Sequence, residues 1–244
     1  MRTILVFLAD PRVSQLGEIV RGDLTYIWAS SLCLSFAFLG PLNQPVYWSG
    51  DIRVCTVNSA ISRFGISDID DMPEDIREKI LAVQEKSGFV PNVFLMLAHR
   101  VDEFRAFFAY HDALMEKAGN LTKAEREMIV VATSSLNQCL YCVVAHGAIL
   151  RIRTKNPLIA DQIAVNYRKA DISLRQKSMI DFAVKVSQHA YLVSDNDIEA
   201  LRVHGFSEED VWDIAAISSF FGMSNRLANV ANMRPNEEFY NLGR

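Results

Sequence analysis

The chain has few cysteines, no surplus of basic residues and no long uninterrupted apolar run. Only two of its four cysteines are clustered, a pattern that excludes a small scaffold held together by disulfides. The formal net charge is -4, and no long basic run is present, so nothing indicates a nucleic acid or an anionic membrane as partner. We therefore expect a cytoplasmic protein, in reducing surroundings, with one redox-active cysteine pair.

The apolar stretches near the N-terminus fall short of a membrane span. Residues 1–9 start with a single arginine, and residues 26–39 are interrupted by polar serines. A spanning helix needs about 20 apolar residues, and a signal peptide needs a clearer basic start and a small-residue cleavage site. We expect no membrane association. We interpret residues 1–59 as an extension foreign to the core fold, of the kind that a start codon placed too far upstream would add, and residues 60–244 as the domain.

Alternating runs long enough to form β-strands are also missing, whereas helical signals become regular from about Asp71. Half of the residues are hydrophobic, which is enough for a sizeable core. We predict an all-α domain with capping boxes at Thr122–Glu125 and Ser173–Gln176. The helices are predicted to begin near Pro73, Pro91, Thr122, Asn156–Pro157, Ser173, Ser194 and Ser207, and glycines are predicted to end three of them, at Gly88, Gly119 and Gly205.

The sequence of these helices contains a weak internal repeat. The pattern of Thr122-x-x-Glu, with a Ser-Ser pair near the middle of its helix, recurs as Ser207-x-x-Asp with Ser218-Ser219. We therefore expect two related helical halves. Because the second half has no cysteine, we expect it to act as a scaffold that packs against the cysteine-bearing helix or a neighbouring subunit.

The chemistry is concentrated in residues 127–146. Cys139, Cys142 and His146 are three and four residues apart, so on a helix they share one face. Cysteines at this spacing have Cα atoms about 5 Å apart, and a disulfide accepts about 4.4 to 6.8 Å. The pair can therefore open and close with little backbone movement, and His146 can supply or take a proton.

Glu127 can join this group only if the helix breaks. One straight helix would place Glu127 about 28 Å from His146. We therefore predict a break near Asn137 and Gln138, with Asn137 as the N-cap of the next helix. Cys139 then lies in the first helical turn, where the helix end favours a thiolate.

This arrangement resembles a known family. The pattern Glu-x11-Cys-x2-Cys-x3-His is similar to the core motif of the alkylhydroperoxidase D (AhpD) proteins, within the carboxymuconolactone decarboxylase-like superfamily. The flanking sequences resemble its peroxidase-related branch, and the resemblance runs from about residue 60 to the C-terminus. These flanks are Gly88-Phe-Val-Pro-Asn92, Ala98-His-Arg100 and Ser218-Ser-Phe-Phe-Gly-Met-Ser-Asn-Arg-Leu-Ala228.

The resemblance implies an AhpD-like helical bundle and a role for each residue of the motif. Cys142 would be oxidised by a hydroperoxide to a sulfenic acid, Cys139 would donate a proton and resolve it, and His146 with Glu127 would relay protons. No metal or prosthetic group is needed, but an unidentified dithiol reductant or reductase must reopen the disulfide. A homotrimer or hexamer is implied as well. One departure is Tyr141, which stands where the authentic alkylhydroperoxidases have a second histidine.

A cysteine pair with a nearby histidine also occurs in other kinds of site. A zinc site would need further ligands, yet Cys33, Cys55, His111 and His189 form no second cluster at ligand spacing. Covalent haem would require a histidine directly after Cys142, and a thioredoxin-type site would follow a strand. The cysteines could also be small buried hydrophobes. The other histidines are read as surface or satisfied core residues: His99, His111, His189 and His204.

Two functional alternatives remain open. A lactone decarboxylase of the same superfamily works without a cysteine pair, so the intact pair argues against it. An oligomeric redox sensor would use the pair as a switch, and steady peroxide turnover would separate an enzyme from that switch.

Overall fold

The computed structural model describes residues 61–244, which contain ten α-helices, three short 3-10 turns and no strand. The all-α prediction is confirmed for this part of the chain. The predictions for residues 1–59 lie outside the described residues. The helices are α1 (Glu74–Ser87), α2 (Asn92–Leu97), α3 (Val101–Met115), α4 (Lys123–Leu136), α5 (Leu140–Thr154), α6 (Ile159–Asn166), α7 (Leu174–His189), α8 (Asp195–Val203), α9 (Glu208–Ala231) and α10 (Glu238–Asn241).

The predicted capping boxes are present. At the start of α4, the Glu125 backbone N–H donates to Thr122 Oγ1 at 3.1 Å, and the Thr122 N–H donates to Glu125 Oε2 at 2.9 Å. Boxes of the same type open α7, α8 and α9. Each box satisfies amide groups that have no partner inside the helix. Gly88 ends α1 in the left-handed conformation, with φ of 84°.

Three predicted helix boundaries are wrong. α6 begins at Ile159, because the Asn156 side chain accepts a hydrogen bond from the Leu158 N–H at 3.0 Å and forms a turn there instead of a cap. α3 ends at Met115, well before Gly119. Pro73 is the residue before α1 rather than its first helical residue.

The central element is α4, whose residues 125–134 are all buried. It packs against α5, α6, α7 and α9. Arg126 on this helix is fully buried, and of its guanidinium nitrogens Nη1 donates to the Leu114 carbonyl at 2.6 Å, whereas Nε and Nη2 have no hydrogen-bond partner among the described residues. Glu127 lies on this helix and is therefore held away from bulk water.

The core has two parts, and Phe107 of α3 packs against both. One is built mainly on α4, α7 and α9, with Ile129, Ile180 and Ile214 fully buried. The other lies between α1, α2, α3 and α5 and includes both Cys139 and Cys142. The cysteine pair is thus part of a packed core. None of the helices within residues 61–244 is both long and apolar enough to cross a bilayer.

Candidate active site

The joint between α4 and α5 positions the cysteine pair. Gln138 adopts a left-handed conformation with φ of 52°. Its N–H donates to the Ser135 carbonyl at 3.0 Å, and the Cys139 N–H donates to the Ser134 carbonyl at 3.0 Å. These two bonds form a Schellman motif, which ends a helix and turns the chain. The break predicted at Asn137 and Gln138 is therefore present.

The N-cap of α5 is Cys139, so the prediction that Asn137 caps this helix is wrong. Asn137 ends α4 instead. The Cys142 backbone N–H donates to Cys139 Sγ at 3.3 Å, the place that a serine or aspartate oxygen takes in an ordinary cap. The Schellman turn uses the residues up to Cys139, and this leaves the cysteine itself as the cap.

The two thiols are in direct contact. Their Sγ atoms are 2.7 Å apart, and the two residues are 0% and 2% exposed. The backbone N–H that Cys139 Sγ already receives makes it the better acceptor, so the Cys142 thiol donates to it. Once an oxidant removes two electrons and the two thiol protons leave, little movement of either sulfur is needed to form the disulfide.

The surroundings separate the acidities of the two thiols. The hydrogen bond from Cys142 is the largest cause of the lowered pKa of Cys139, and the Cys142 backbone N–H and the charge of His146 act in the same direction. The bond to Cys139 and then burial raise the pKa of Cys142. Cys139 is therefore the thiol of the pair that loses its proton more readily, as the helix-end argument predicts.

Glu127 and His146 meet across the α4–α5 joint. His146 Nδ1 is 2.7 Å from Glu127 Oε2, and the two side chains are 14% and 10% exposed. The Phe221 ring meets the imidazole edge-on at 4.7 Å and helps to fix its orientation. The break in the helix thus places the carboxylate and the imidazole in contact, as predicted.

Tyr141 belongs to the packing rather than to the proton path. Its hydroxyl accepts a hydrogen bond from the Val93 backbone N–H at 3.3 Å, and its ring lies edge-on to Phe239 at 6.3 Å. Burial raises the pKa of Tyr141 well above its usual range, so the hydroxyl stays protonated. The tyrosine joins α5 to α2 and α10.

The helix α9 packs against α4 and α5, as its predicted scaffold role requires. Two of its polar side chains also affect the acidity of the thiols: Asn225, as a hydrogen-bond donor, lowers the pKa of Cys139, and Asn225 and Ser224 oppose the raised pKa of Cys142. Asn225 is fully buried, and Ser224 is nearly so. Sequence reasoning missed both residues, because no spacing rule connects them to a cysteine about 80 positions earlier. The one available signal was that they lie within the flank that resembles the family.

His111 is the other residue that sequence reasoning missed. Its ring lies 6.3 Å from that of Phe221, which also contacts His146, and 6.1 Å from that of Phe220. Burial lowers the pKa of His111 below its usual value, although the hydrogen bond to Asp112 opposes this. It is a satisfied core residue, as the sequence predicts, but it also lies as a neutral imidazole beside the site, which the sequence did not indicate.

Metal-ligand groups are not found in the part of the chain that the structure describes: no three His, Cys, Asp or Glu side chains converge there. The site instead combines two contacting thiols, hydrogen-bond donors to sulfur, and a carboxylate–imidazole pair. Such a set can carry dithiol–disulfide exchange and move the associated protons.

Comparison with known families gives a match over part of this region. The Carboxymuconolactone decarboxylase family matches residues 102–157, a range that contains Glu127, Cys139, Cys142 and His146. A search of curated proteins gave no match.

Several solved structures are similar to this chain, and each match covers nearly the whole length of the other protein. The AhpD core of a peroxidase-related protein from Ralstonia eutropha JMP134 is 67% identical, with a TM-score of 0.75, and the match covers 76% of this chain and 97% of that one. A peroxidase-related protein from Silicibacter sp. TM1040 is 40% identical, with a TM-score of 0.71, and covers 75% and 94%. A cysteine-to-alanine variant of the debrominase Bmp8, in complex with 2,3,4-tribromopyrrole, is 19% identical, with a TM-score of 0.62, over 73% and 95%. At that identity it shares the fold alone.

Proposed function

Because the chain belongs to the carboxymuconolactone decarboxylase superfamily, in its AhpD-like, peroxidase-related branch, we propose that it is a thiol-dependent peroxidase. The names of these relatives support a peroxidase or antioxidant role at the level of the family. The observation that carries the finer proposal is the contact between two buried thiols beside the Glu127–His146 pair.

The proposed cycle begins when His146 takes one proton from the thiol pair, which leaves the pair with a single negative charge. The remaining proton then moves from Cys142 to Cys139, which makes Cys142 the nucleophile. Its thiolate attacks the hydroperoxide, the O–O bond breaks, and a sulfenic acid forms on Cys142. Cys139 gives its proton to the departing alkoxide, which leaves as the alcohol. The Cys139 thiolate then displaces the hydroxyl of the sulfenic acid, and protonated His146 releases it as water.

The net reaction converts a hydroperoxide and two thiols into an alcohol, water and a disulfide. Glu127 holds the imidazole and stabilises its positive charge between these steps. An external dithiol reduces the disulfide by thiol exchange and completes the turnover. The role of each side chain follows the family resemblance, and the contacts described above support it.

The test uses the intact mass of the protein. One equivalent of hydroperoxide should remove 2 Da, and a dithiol should restore the original mass. Repeated additions of peroxide with excess dithiol should then be consumed at a steady rate. A single oxidation without turnover would instead support a redox switch, and decarboxylation of a lactone without use of the thiols would refute the peroxidase proposal.

Separate Cys139→Ser and Cys142→Ser variants decide which sulfur attacks. The family resemblance assigns the attack to Cys142, whereas the lowered pKa of Cys139 favours the other sulfur. With a sulfenic-acid trap present, the proposed cycle predicts labelling of Cys142 in the Cys139→Ser variant. Labelling only in the variant that retains Cys139 would reverse the two roles.

We also propose that the protein is a homotrimer or hexamer. Large apolar side chains are exposed on the described part of the chain, among them Val165, Val203 and Trp212. Such side chains are often covered at subunit contacts. Light scattering after size exclusion should give three or six times the chain mass, and a monomer or any other multiple would refute this proposal.

A further inference from the structure

Asn225 holds the last turn of α4 from across the helix bundle. Its Nδ2 donates to Ser134 Oγ at 2.9 Å, and its Oδ1 accepts from Asn137 Nδ2 at 2.9 Å. Because one end of the carboxamide accepts a hydrogen bond and the other donates one, these partners determine which end is the oxygen and which is the nitrogen. Since Asn225 is 0% exposed, water cannot replace these bonds.

The second N–H of the carboxamide is available to the sulfurs. A carboxamide carries two N–H donors, and the bond to Ser134 uses one of them. The bond from Cys142 is the main cause of the lowered pKa of Cys139, and the Asn225 side chain adds to it as a donor. The same side chain also opposes the raised pKa of Cys142.

We propose that Asn225 is a positioning residue for the thiol pair, which fixes the turn that carries Cys139 and donates a hydrogen bond to whichever sulfur is ionised. A donor that faces both sulfurs can follow the charge as the proton moves between them. This inference deepens the proposed peroxidase function and rests on its thiol chemistry, but its readout requires no peroxide.

Asn229 provides the matched control. It lies one helical turn further along α9, and its Nδ2 donates to the Asn137 backbone carbonyl at 3.0 Å. It therefore binds the same turn through the backbone, whereas Asn225 has in addition a second N–H, which the proposal assigns to sulfur. An effect that comes only from loosening the turn should appear in both variants.

The test measures alkylation of the reduced full-length protein by iodoacetamide at pH 7, with the modified cysteine identified by mass spectrometry. Asn225→Ala should slow labelling about tenfold, because a hydrogen bond to a charged group is lost. Asn229→Ala should change it less than twofold. The equilibrium with dithiothreitol should shift about tenfold toward the disulfide in Asn225→Ala, about 30 mV.

Asn225→Asp keeps the size of the side chain and replaces the donor with a negative charge. It should slow labelling at least as much as Asn225→Ala, and it serves if the alanine variant does not fold. Equal effects of Asn225→Ala and Asn229→Ala, or wild-type labelling in Asn225→Asp, would overturn the inference. If peroxide turnover is absent from the wild type while Asn225→Ala still slows labelling, the peroxidase proposal fails and the role of Asn225 stands.

Discussion

Replacing Glu127 tests whether the contact with His146 contributes to turnover. The carboxylate lies 2.7 Å from His146 Nδ1, and both side chains are mostly buried. His146 becomes positively charged during the proposed cycle, so the bond is strongest at that step. An interaction that strengthens on the way to the transition state raises kcat/KM.

The expected loss follows from the type of bond. A hydrogen bond with a charged partner contributes about 1.5 to 3 kcal/mol, so Glu127→Ala should lower kcat/KM about 10- to 150-fold. Glu127→Gln keeps an acceptor oxygen but loses the charge, and a neutral bond contributes about 0.5 to 1.5 kcal/mol. That difference of about 1 to 1.5 kcal/mol corresponds to roughly a 5- to 13-fold loss.

The assay is steady-state consumption of a hydroperoxide with an excess of dithiothreitol. Glu125→Gln is the matched control, because Glu125 is also buried on α4 but bonds to Thr122 and Arg175. Glutamine can still accept the Thr122 N–H, as in the capping box at Ser173–Gln176, so this variant removes only the charge that faces Arg175. It should lower the free energy of unfolding by about 1 kcal/mol and leave turnover unchanged. The order of activity should therefore be wild type and Glu125→Gln, then Glu127→Gln, then Glu127→Ala.

Two results would refute the reasoning. Wild-type turnover in Glu127→Ala would show that the contact has no part in the chemistry. If Glu127→Ala and Glu125→Gln both lose turnover in proportion to their loss of stability, the effect comes from folding. A double variant with His146→Ala adds a further check, because residues that act as one unit should show no additional loss.

Three further predictions concern the thiols and their turn. The pKa of Cys139 is lowered and that of Cys142 is raised, so the thiolate of Cys139 forms at lower pH. Alkylation of Cys139, followed by mass spectrometry, should therefore increase at a lower pH than alkylation of Cys142. The same pH profile for both cysteines would contradict this. Gln138 is exposed and has a φ of 52°, so Gln138→Gly should raise the free energy of unfolding by about 0.5 to 1 kcal/mol in urea titration, and a decrease would show that the side chain contributes a contact. Since both thiols are buried, an aromatic disulfide reagent should react more than tenfold slower with the folded protein than in guanidinium chloride, and equal rates would show an open path to the sulfurs.

The sequence was sufficient for features that depend on neighbours along the chain. The capping boxes at Thr122, Ser173 and Ser207 depend on side chains three residues apart, so a local pattern identifies them. The shared face of Cys139, Cys142 and His146 follows from helical spacing in the same way. The break near Gln138 is predicted because one straight helix would keep Glu127 about 28 Å from His146.

The cap of α5 shows where local reasoning was insufficient. Asparagine is a common N-cap, so Asn137 was the natural prediction. The Schellman turn, however, continues two residues past Asn137, because it needs a left-handed residue and a closing N–H, which Gln138 and Cys139 supply. The thiol consequently became the cap, a result that no propensity scale indicates.

Contacts between distant segments were decided only by the packing of the helices. Asn225 and His111 are remote from the cysteines in sequence, and each residue type is common in helices without any such role. They come to the site because the buried faces of α3, α4 and α9 fit together in one arrangement, which depends on the volumes of many side chains at once. Helical periodicity therefore determined which residues of one segment face the same way, whereas the fit between helices determined what those residues meet.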